Sequence, residues 1–280
     1  MSTGSGACFL CGGPARERLV GTARILVCSG CGLGRTQDAS QSQDYWEPGA
    51  SGEQAALTDR YWTDARATVF RGALAVLEAE VGKGRVLDVG GGVGHFAELA
   101  LAAGWDAFSV DVSDAAVEAA ADRIGGTRSF SSIPEHLQGT CDAITLWCVV
   151  AHLPNPLALL AEAVRALRPG GRLFLTTPNF RFQIGYAQIL ARLGKPIDFS
   201  AHDHLLHFSA DALGRLLAGA GMTTWRLAFV GVTEDCVADP RLARWAVPGK
   251  RVWNRTTLAA SRAGLPYLGS EFQVVGTAPR

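Results

Sequence analysis

Val86-Leu87-Asp88-Val89-Gly90-Gly91-Gly92-Val93-Gly94-His95 is the stretch from which the rest of the chain is read. A short β-branched, apolar run carries an acid, glycines follow at every second position, and an alanine-rich helical pattern opens at once with Phe96-Ala97-Glu98-Leu99-Ala100. This order predicts a strand, a tight turn and a helix. Glycine has no Cβ, so it accepts positive φ and lets a ligand lie against the backbone, where the N–H groups of a helix N-terminus converge. A turn of this kind binds a nucleotide-like ligand.

Spacing narrows the ligand. The dinucleotide fingerprint is Gly-x-Gly-x-x-Gly, with the helix N-terminus facing a pyrophosphate. Here Asp88 stands two residues before Gly90, and Gly92 and Gly94 follow. An acid so close repels a pyrophosphate and suits a cationic group, such as the amino group and sulfonium of S-adenosylmethionine. Seventeen residues after Gly94, a second apolar run over 105–110 ends in Asp111, where a carboxylate can accept both hydroxyls of a ribose.

At this point the chain resembles the class I S-adenosylmethionine-dependent methyltransferases. Cys141-Asp142-Ala143-Ile144-Thr145-Leu146-Trp147-Cys148 is similar to that family's fourth strand, and Ala151-His152-Leu153-Pro154-Asn155-Pro156 to the loop behind it. Leu167-Arg168-Pro169-Gly170-Gly171-Arg172-Leu173-Phe174-Leu175-Thr176-Thr177-Pro178-Asn179 is similar to its helix end, turn and fifth strand. Four motifs occur in the family's order. The resemblance implies an α/β, Rossmann-like, seven-stranded sheet with S-adenosylmethionine held by Asp88, Gly90, Gly92, Gly94, Asp111, Val112, Ser131 and Trp147. Ser131 and Ser132 follow the third strand, where the family contacts adenine; serines in a loop are more often simply solvated.

At 280 residues the chain has room for one α/β domain and a small appendage. Hydrophobic residues make up 48% and charged residues 19%, a globular rather than disordered composition. No apolar run reaches the roughly 20 residues of a membrane span, and residues 1–7 lack the basic and apolar regions of a signal peptide, so a cytoplasmic location is expected. The formal net charge is +0, and no global field draws the protein to nucleic acid. Richness in Ala, Gly and Arg suggests a bacterial source.

Ahead of the α/β pattern, Cys8-x2-Cys11 and Cys28-x2-Cys31 are separated by sixteen residues. Paired knuckles at this distance predict a tetrathiolate zinc ribbon over 1–36, structural because four thiolates leave no open position. Disulfides or free thiols are the alternative. The polar stretch 37–57 is read as a linker or lid; Tyr45-Trp46, and Tyr61-Trp62 beyond it, could stack on a planar substrate or pack the linker down. The methyltransferase domain is expected over 58–280, with insertions near 180–208 and 235–265. Alternating elements are predicted as strands over 105–110, 127–130, 142–148, 172–177, 223–230 and 271–277, and helices over 113–123, 156–167, 180–194 and 210–219. A loop over 196–207 contains His202, Asp203, His204 and His207.

Methyl transfer from a sulfonium is an in-line displacement by an activated donor, so the protein must align the reactants and remove a proton only from an acceptor that holds one tightly. His152, on the rim behind the fourth strand, is the candidate base; the alternative is a His that bonds the loop backbone. The resembled family often has an acid before this His, but here the residue is Ala151, which removes a second acid and counts against an acid-assisted or metal-assisted mechanism. Relatives often carry an acid-His pair followed by an aromatic and a Ser or Thr, matching Asp203-His204 and Phe208-Ser209, and make His204 a substrate-side residue; a second metal site in the 202–207 cluster is the alternative. Asn179 either binds substrate or caps a helix. Cys141, Cys148 and Cys236 have no paired spacing and are assigned to packing.

The function these residues favour is methylation of a small molecule, such as a sugar or specialised metabolite. A zinc ribbon also precedes sugar C-methyltransferases, but those carry a large C-terminal domain for which this chain has no room. An rRNA guanine methyltransferase with a four-ligand zinc module is the second reading, opposed by neutral charge. The third is a protein that binds S-adenosylmethionine without transferring methyl. Oligomeric state is left open by the pattern.

Overall fold

A computed structural model describes residues 7–21, 23–37, 67–194, 204–230, 252, 256 and 269–279. The linker stretch 38–57, Tyr61, Trp62, His202, Asp203 and the insertion at 235–265, apart from residues 252 and 256, lie outside them. The larger sheet has seven strands: β4 (Arg85–Val89), β5 (Asp106–Val110), β6 (Ser129–Phe130), β7 (Cys141–Trp147), β8 (Leu167–Pro178), β10 (Thr224–Val230) and β11 (Glu271–Thr277). Their order is β10-β11-β8-β7-β4-β5-β6. Strands β4 to β8 pair in parallel and β11 runs antiparallel to both neighbours. This is the expected seven-stranded class I sheet, with the order reversing on either side of β4; in sheets of this kind ligands bind at the carboxyl ends of the strands at the reversal, here β4 and β7.

Both faces of the sheet are covered because its central strands are apolar almost throughout. On one face α1 (Ala67–Val81) and α2 (His95–Ala102) bring Phe70, Leu74, Leu77 and Phe96 against Val86, Trp147 and Phe174. Phe70, Phe96 and Trp147 form a three-ring cluster with centroids 4.6–5.3 Å apart. On the other, α4 (Pro156–Ala166) and α6 (Ala210–Gly219) pack Leu160, Val164, Leu213, Leu216 and Leu217 onto Ile144, Leu146 and Leu175. The remaining helices are α3 (Asp114–Ile124), capped by Ser113, and α5 (Phe180–Arg192), capped by Asn179.

Two elements depart from the periodicity. α4 stops at Ala166 and β8 already begins at Leu167, because Leu167 pairs with Cys141 before a bulge resets the register to Ala143 opposite Arg172. Pro169 cannot continue a helix, and Arg168 Nε holds Asp142 Oδ1 at 2.5 Å. The second departure is β9 (Leu206–His207), which the sequence places in a loop. It completes a second sheet of order β1-β2-β3-β9 with β1 (Ala15–Val20), β2 (Ala23–Cys28) and β3 (Gly34–Thr36).

The cysteine-bearing segment is therefore joined to the α/β body through backbone pairing of Gly34 with His207 and Arg35 with Leu206. Side chains reinforce the joint. Ser209 Oγ donates to the Cys31 carbonyl at 2.5 Å, and Thr36 Oγ1 donates to the His204 carbonyl at 3.1 Å. Gly34 is required by close approach, since a Cβ there would lie 2.7 Å from the Phe180 ring. Cys28, Cys31 and Leu33 belong to the same buried cluster as Leu206, Phe208 and Leu213.

Candidate active site

The turn after β4 is shaped by its glycines. Gly90, Gly92 and Gly94 have φ of 71°, 54° and 85°, conformations that L side chains avoid. A Cβ on Gly90 would lie 2.5 Å from Val149 Cγ2 and one on Gly94 3.0 Å from Ala120 Cβ, whereas nothing among the described residues lies within 4 Å of one on Gly92. The turn is thus closed by packing at both ends and open at its middle.

Two carboxylates flank it. Asp111 Oδ2 accepts from the Gly92 N–H at 2.9 Å and Oδ1 from the Ser113 N–H at 3.0 Å, so the acid after β5 is tied to the open glycine and to the start of α3. Asp88 is 1% exposed and accepts from Thr145 Oγ1 at 2.6 Å. Burial pushes its carboxyl up to about 7; the Thr145 hydrogen bond opposes this, the negative charge of Asp111 adds to it, and the Trp147 side chain opposes it. A cation placed here would return Asp88 to its charged form. Val112 projects beside Asp111 at 89% exposed, and Ser131 lies exposed after β6. Trp147 is turned inward: the residue is 6% exposed, its ring is packed on Phe70, Phe96 and Phe174, and its side chain acts on Asp88. Both faces of β7 are buried, so alternation along the strand did not tell which way this side chain points.

Beyond β7 the backbone turns sharply at Cys148, whose φ of 63° makes it the one non-glycine residue with positive φ among those described. A 3₁₀ turn, Val149–Ala151, then presents His152. His204 comes from the segment leading into β9, and its Nε2 lies 3.4 Å from Cys148 Sγ. The His152 and His204 rings are 4.8 Å apart. The structure therefore brings both predicted histidines together and adds Cys148, which the sequence assigns to packing; the Cys148-x3-His152 spacing was the available signal. Cys141, by contrast, is buried, and burial raises its thiol to about 11, which suits the packing role. His207 is 2% exposed, its Nε2 2.8 Å from Thr36 Oγ1 and its ring tilted against that of Phe180 with centroids 5.0 Å apart, and so belongs to the joint between the sheets. Asn179 is a cap: Oδ1 accepts from the Arg181 N–H and Nδ2 donates to the Gly269 carbonyl.

In the N-terminal segment the sulfurs of Cys8, Cys11, Cys28 and Cys31 lie within 4.8 Å of one another. Cys8 and Cys31 are 3.6 Å apart and Cys11 and Cys28 3.4 Å, close to the roughly 3.8 Å edge of a tetrahedron with metal–sulfur bonds of about 2.3 Å. All four are free thiols, and Cβ atoms on Gly13 and Gly30 would come within 3.2 Å of a ligand sulfur, so both knuckles need glycine for room.

Residues 61–227 match the family described as "Methyltransferase domain". Over 124 residues the chain is 32% identical to a ubiquinone biosynthesis O-methyltransferase of Xanthomonas oryzae pv. oryzae, covering 39% of this chain and 51% of that protein. A protein of the same name from Thiobacillus denitrificans is 28% identical over 181 residues, 59% of this chain and 71% of that one. The chain spans about half the length of the first of these relatives. A putative methyltransferase solved with the Trm112 methyltransferase activator of Haloferax volcanii shares the fold, with a TM-score of 0.53 at 20% identity over 82% of this chain and 96% of that one. With the match covering more than half of its length and the sheet in the corresponding order, the chain belongs to the methyltransferase-domain family of class I, S-adenosylmethionine-dependent enzymes.

Proposed function

We propose that the chain transfers a methyl group from S-adenosylmethionine to a small-molecule acceptor. The observation that carries this reading is the meeting, at the carboxyl ends of the central strands β4 and β7, of a carboxylate-flanked glycine turn with the Cys148, His152 and His204 cluster, linked by Val149 packed against Gly90. S-adenosylmethionine, when bound, supplies a methyl group already activated on a positive sulfur. Asp88 serves the cationic end, Asp111 takes the ribose hydroxyls, and Val112 and Ser131 border the adenine. His152 and His204 face the acceptor and govern its proton. The names of the relatives favour a hydroxyl as the accepting group, and a sugar or specialised metabolite that carries one fits this reading. Cys8, Cys11, Cys28 and Cys31 would hold a structural zinc as thiolates, a donor set suited to a reducing compartment such as the cytoplasm. No described helix is long and apolar enough to cross a membrane.

Asp88 gives this reading a pH signature. An acid whose pKa rises on folding costs the unliganded protein stability as pH climbs from the ordinary carboxylate range to about 7, and the loss is complete above that. A cationic ligand needs the carboxylate, so its affinity should increase with pH up to about 7 and then level off, with a proton released on binding below it. Calorimetry at about pH 6 in two buffers of different ionisation enthalpy should register that proton, and Asp88→Asn should abolish it. An affinity flat from about pH 5.5 to 8 sinks the assignment.

His152→Ala is expected to lower turnover about 10²- to 10³-fold, the range of a lost proton-transfer group, while leaving S-adenosylmethionine affinity within about twofold. Steady-state kinetics beside a binding titration separates the two; unchanged turnover would return His152 to a loop-bonding role.

A further inference from the structure

We infer that Cys148, His152 and His204 form a second metal site, distinct from the four-cysteine cluster and open to the acceptor. The inference deepens the proposed function and rests on it for the identity of the acceptor side, but the site itself is argued from its donors. One ligand atom from each residue lies within 4.8 Å of the others. The Cys148 Sγ to His204 Nε2 distance of 3.4 Å is close to the roughly 3.5 Å that a tetrahedral ion would set with bonds of about 2.3 Å to sulfur and 2.0 Å to nitrogen. The second imidazole converges on that pair, its ring centroid 4.8 Å from that of His204.

The backbone is consistent with a built site. Cys148 holds φ of 63°, a conformation that costs a non-glycine residue about 1 kcal/mol or more and persists where the surroundings impose it. That turn aims Cys148 back toward His204, a residue anchored fifty-six positions later through the Thr36 hydroxyl and the β3–β9 pairing. Ala151, at the position where the resembled family often carries an acid, is buried and supplies no donor; the thiol three residues earlier takes over that role.

The donor set selects the ion and its use. Among the described residues the donors are one thiol, which binds metal as thiolate, and two imidazoles, a soft set that suits zinc and disfavours magnesium or calcium. The four-cysteine cluster fills every tetrahedral position, two of its members being buried; here the described residues supply three donors, all half-buried, and a tetrahedral ion held by these three has a fourth position for a ligand. An acceptor hydroxyl in that position would have its pKa lowered by the ion and would give its proton to solvent. Its oxygen then forms the bond to the methyl carbon while the carbon–sulfur bond breaks and the bonding pair stays on sulfur. The acceptor class is accordingly one with a hydroxyl that can ligate zinc as an oxyanion, such as a phenol or an enediol.

The test is the zinc content of the untagged full-length protein, equilibrated with zinc and desalted, measured by mass spectrometry for wild type, Cys148→Gly and His204→Ala. Glycine at position 148 suits the positive φ, so that variant removes a donor without straining the turn. We expect each variant to lose one zinc per chain and still to bind S-adenosylhomocysteine. Zinc content unchanged by both substitutions would overturn the site. Loss of one zinc in a protein whose wild type binds neither S-adenosylmethionine nor S-adenosylhomocysteine would keep the metal site and remove methyl transfer. Unchanged zinc together with cofactor binding and a turnover defect in His152→Ala would keep methyl transfer, with His152 as the base, and remove the metal.

Discussion

Replacing Asp111 with Ala is expected to weaken S-adenosylmethionine binding about a hundredfold. Its carboxylate holds the Gly92 and Ser113 N–H groups, and by our reading also takes the ribose hydroxyls. Hydrogen bonds to a charged acceptor contribute about 1.5–3 kcal/mol each, and part of the loss is recovered by water in a half-exposed site, which leaves about 3 kcal/mol or two decades in Kd. The variant should remain folded, because Asp111 lies outside the buried core and the turn keeps its backbone bonds from Gly90 and Gly91 to the Val110 carbonyl, 2.8 and 3.1 Å long. Asp111→Asn retains the shape and one acceptor oxygen and should lose only about tenfold. Titration calorimetry on both variants checks this; an affinity unchanged in Asp111→Ala would place the ribose elsewhere.

Cys28→Ser is expected to have the largest effect on stability. Cys28 and Cys31 are each 3% exposed and share a buried cluster with Leu33, Leu206 and Phe208. Removing one thiolate from a tetrathiolate site should release its zinc, and with it the constraint that holds β1, β2 and β3. A loss of about 3–5 kcal/mol corresponds to a fall of about 10 °C in Tm for a protein of this size. Function should follow in a specific way. β3 pairs with β9 and Thr36 bonds the His204 carbonyl, so loss of the segment displaces the acceptor side, whereas Asp88 lies in β4 and Asp111 directly after β5, both strands of the other sheet. Turnover should fall more than tenfold with S-adenosylmethionine affinity largely kept. Thermal scans, zinc analysis and a binding titration on one preparation would show it; full activity after zinc loss would contradict the coupling.

How much of this was legible in the sequence depended on how local the determinants are. Asp88 to Gly94 were readable because strand, turn and helix each leave their mark within a few residues, and glycine conformations of this kind have few alternatives. The parallel part of the sheet followed from the alternation of elements. β9 was not legible: two residues carry no periodicity, and Leu206 and His207 pair with a strand some 170 positions earlier. Trp147 is assigned to the cofactor by resemblance, yet a strand buried on both faces gives no sign of its direction, and the ring lies in the core. Cys148 escaped for a related reason. Its partner His204 is distant in sequence, and a single cysteine in an apolar run looks like packing until the turn at φ 63° aims it at the histidines.

The central claim is that the glycine turn between two carboxylates binds S-adenosylmethionine. The most direct measurement is calorimetric titration of the purified, zinc-replete wild-type protein with S-adenosylmethionine and, separately, with S-adenosylhomocysteine. The account predicts one site per chain with micromolar affinity for both ligands; no detectable binding of either at millimolar concentration would contradict it.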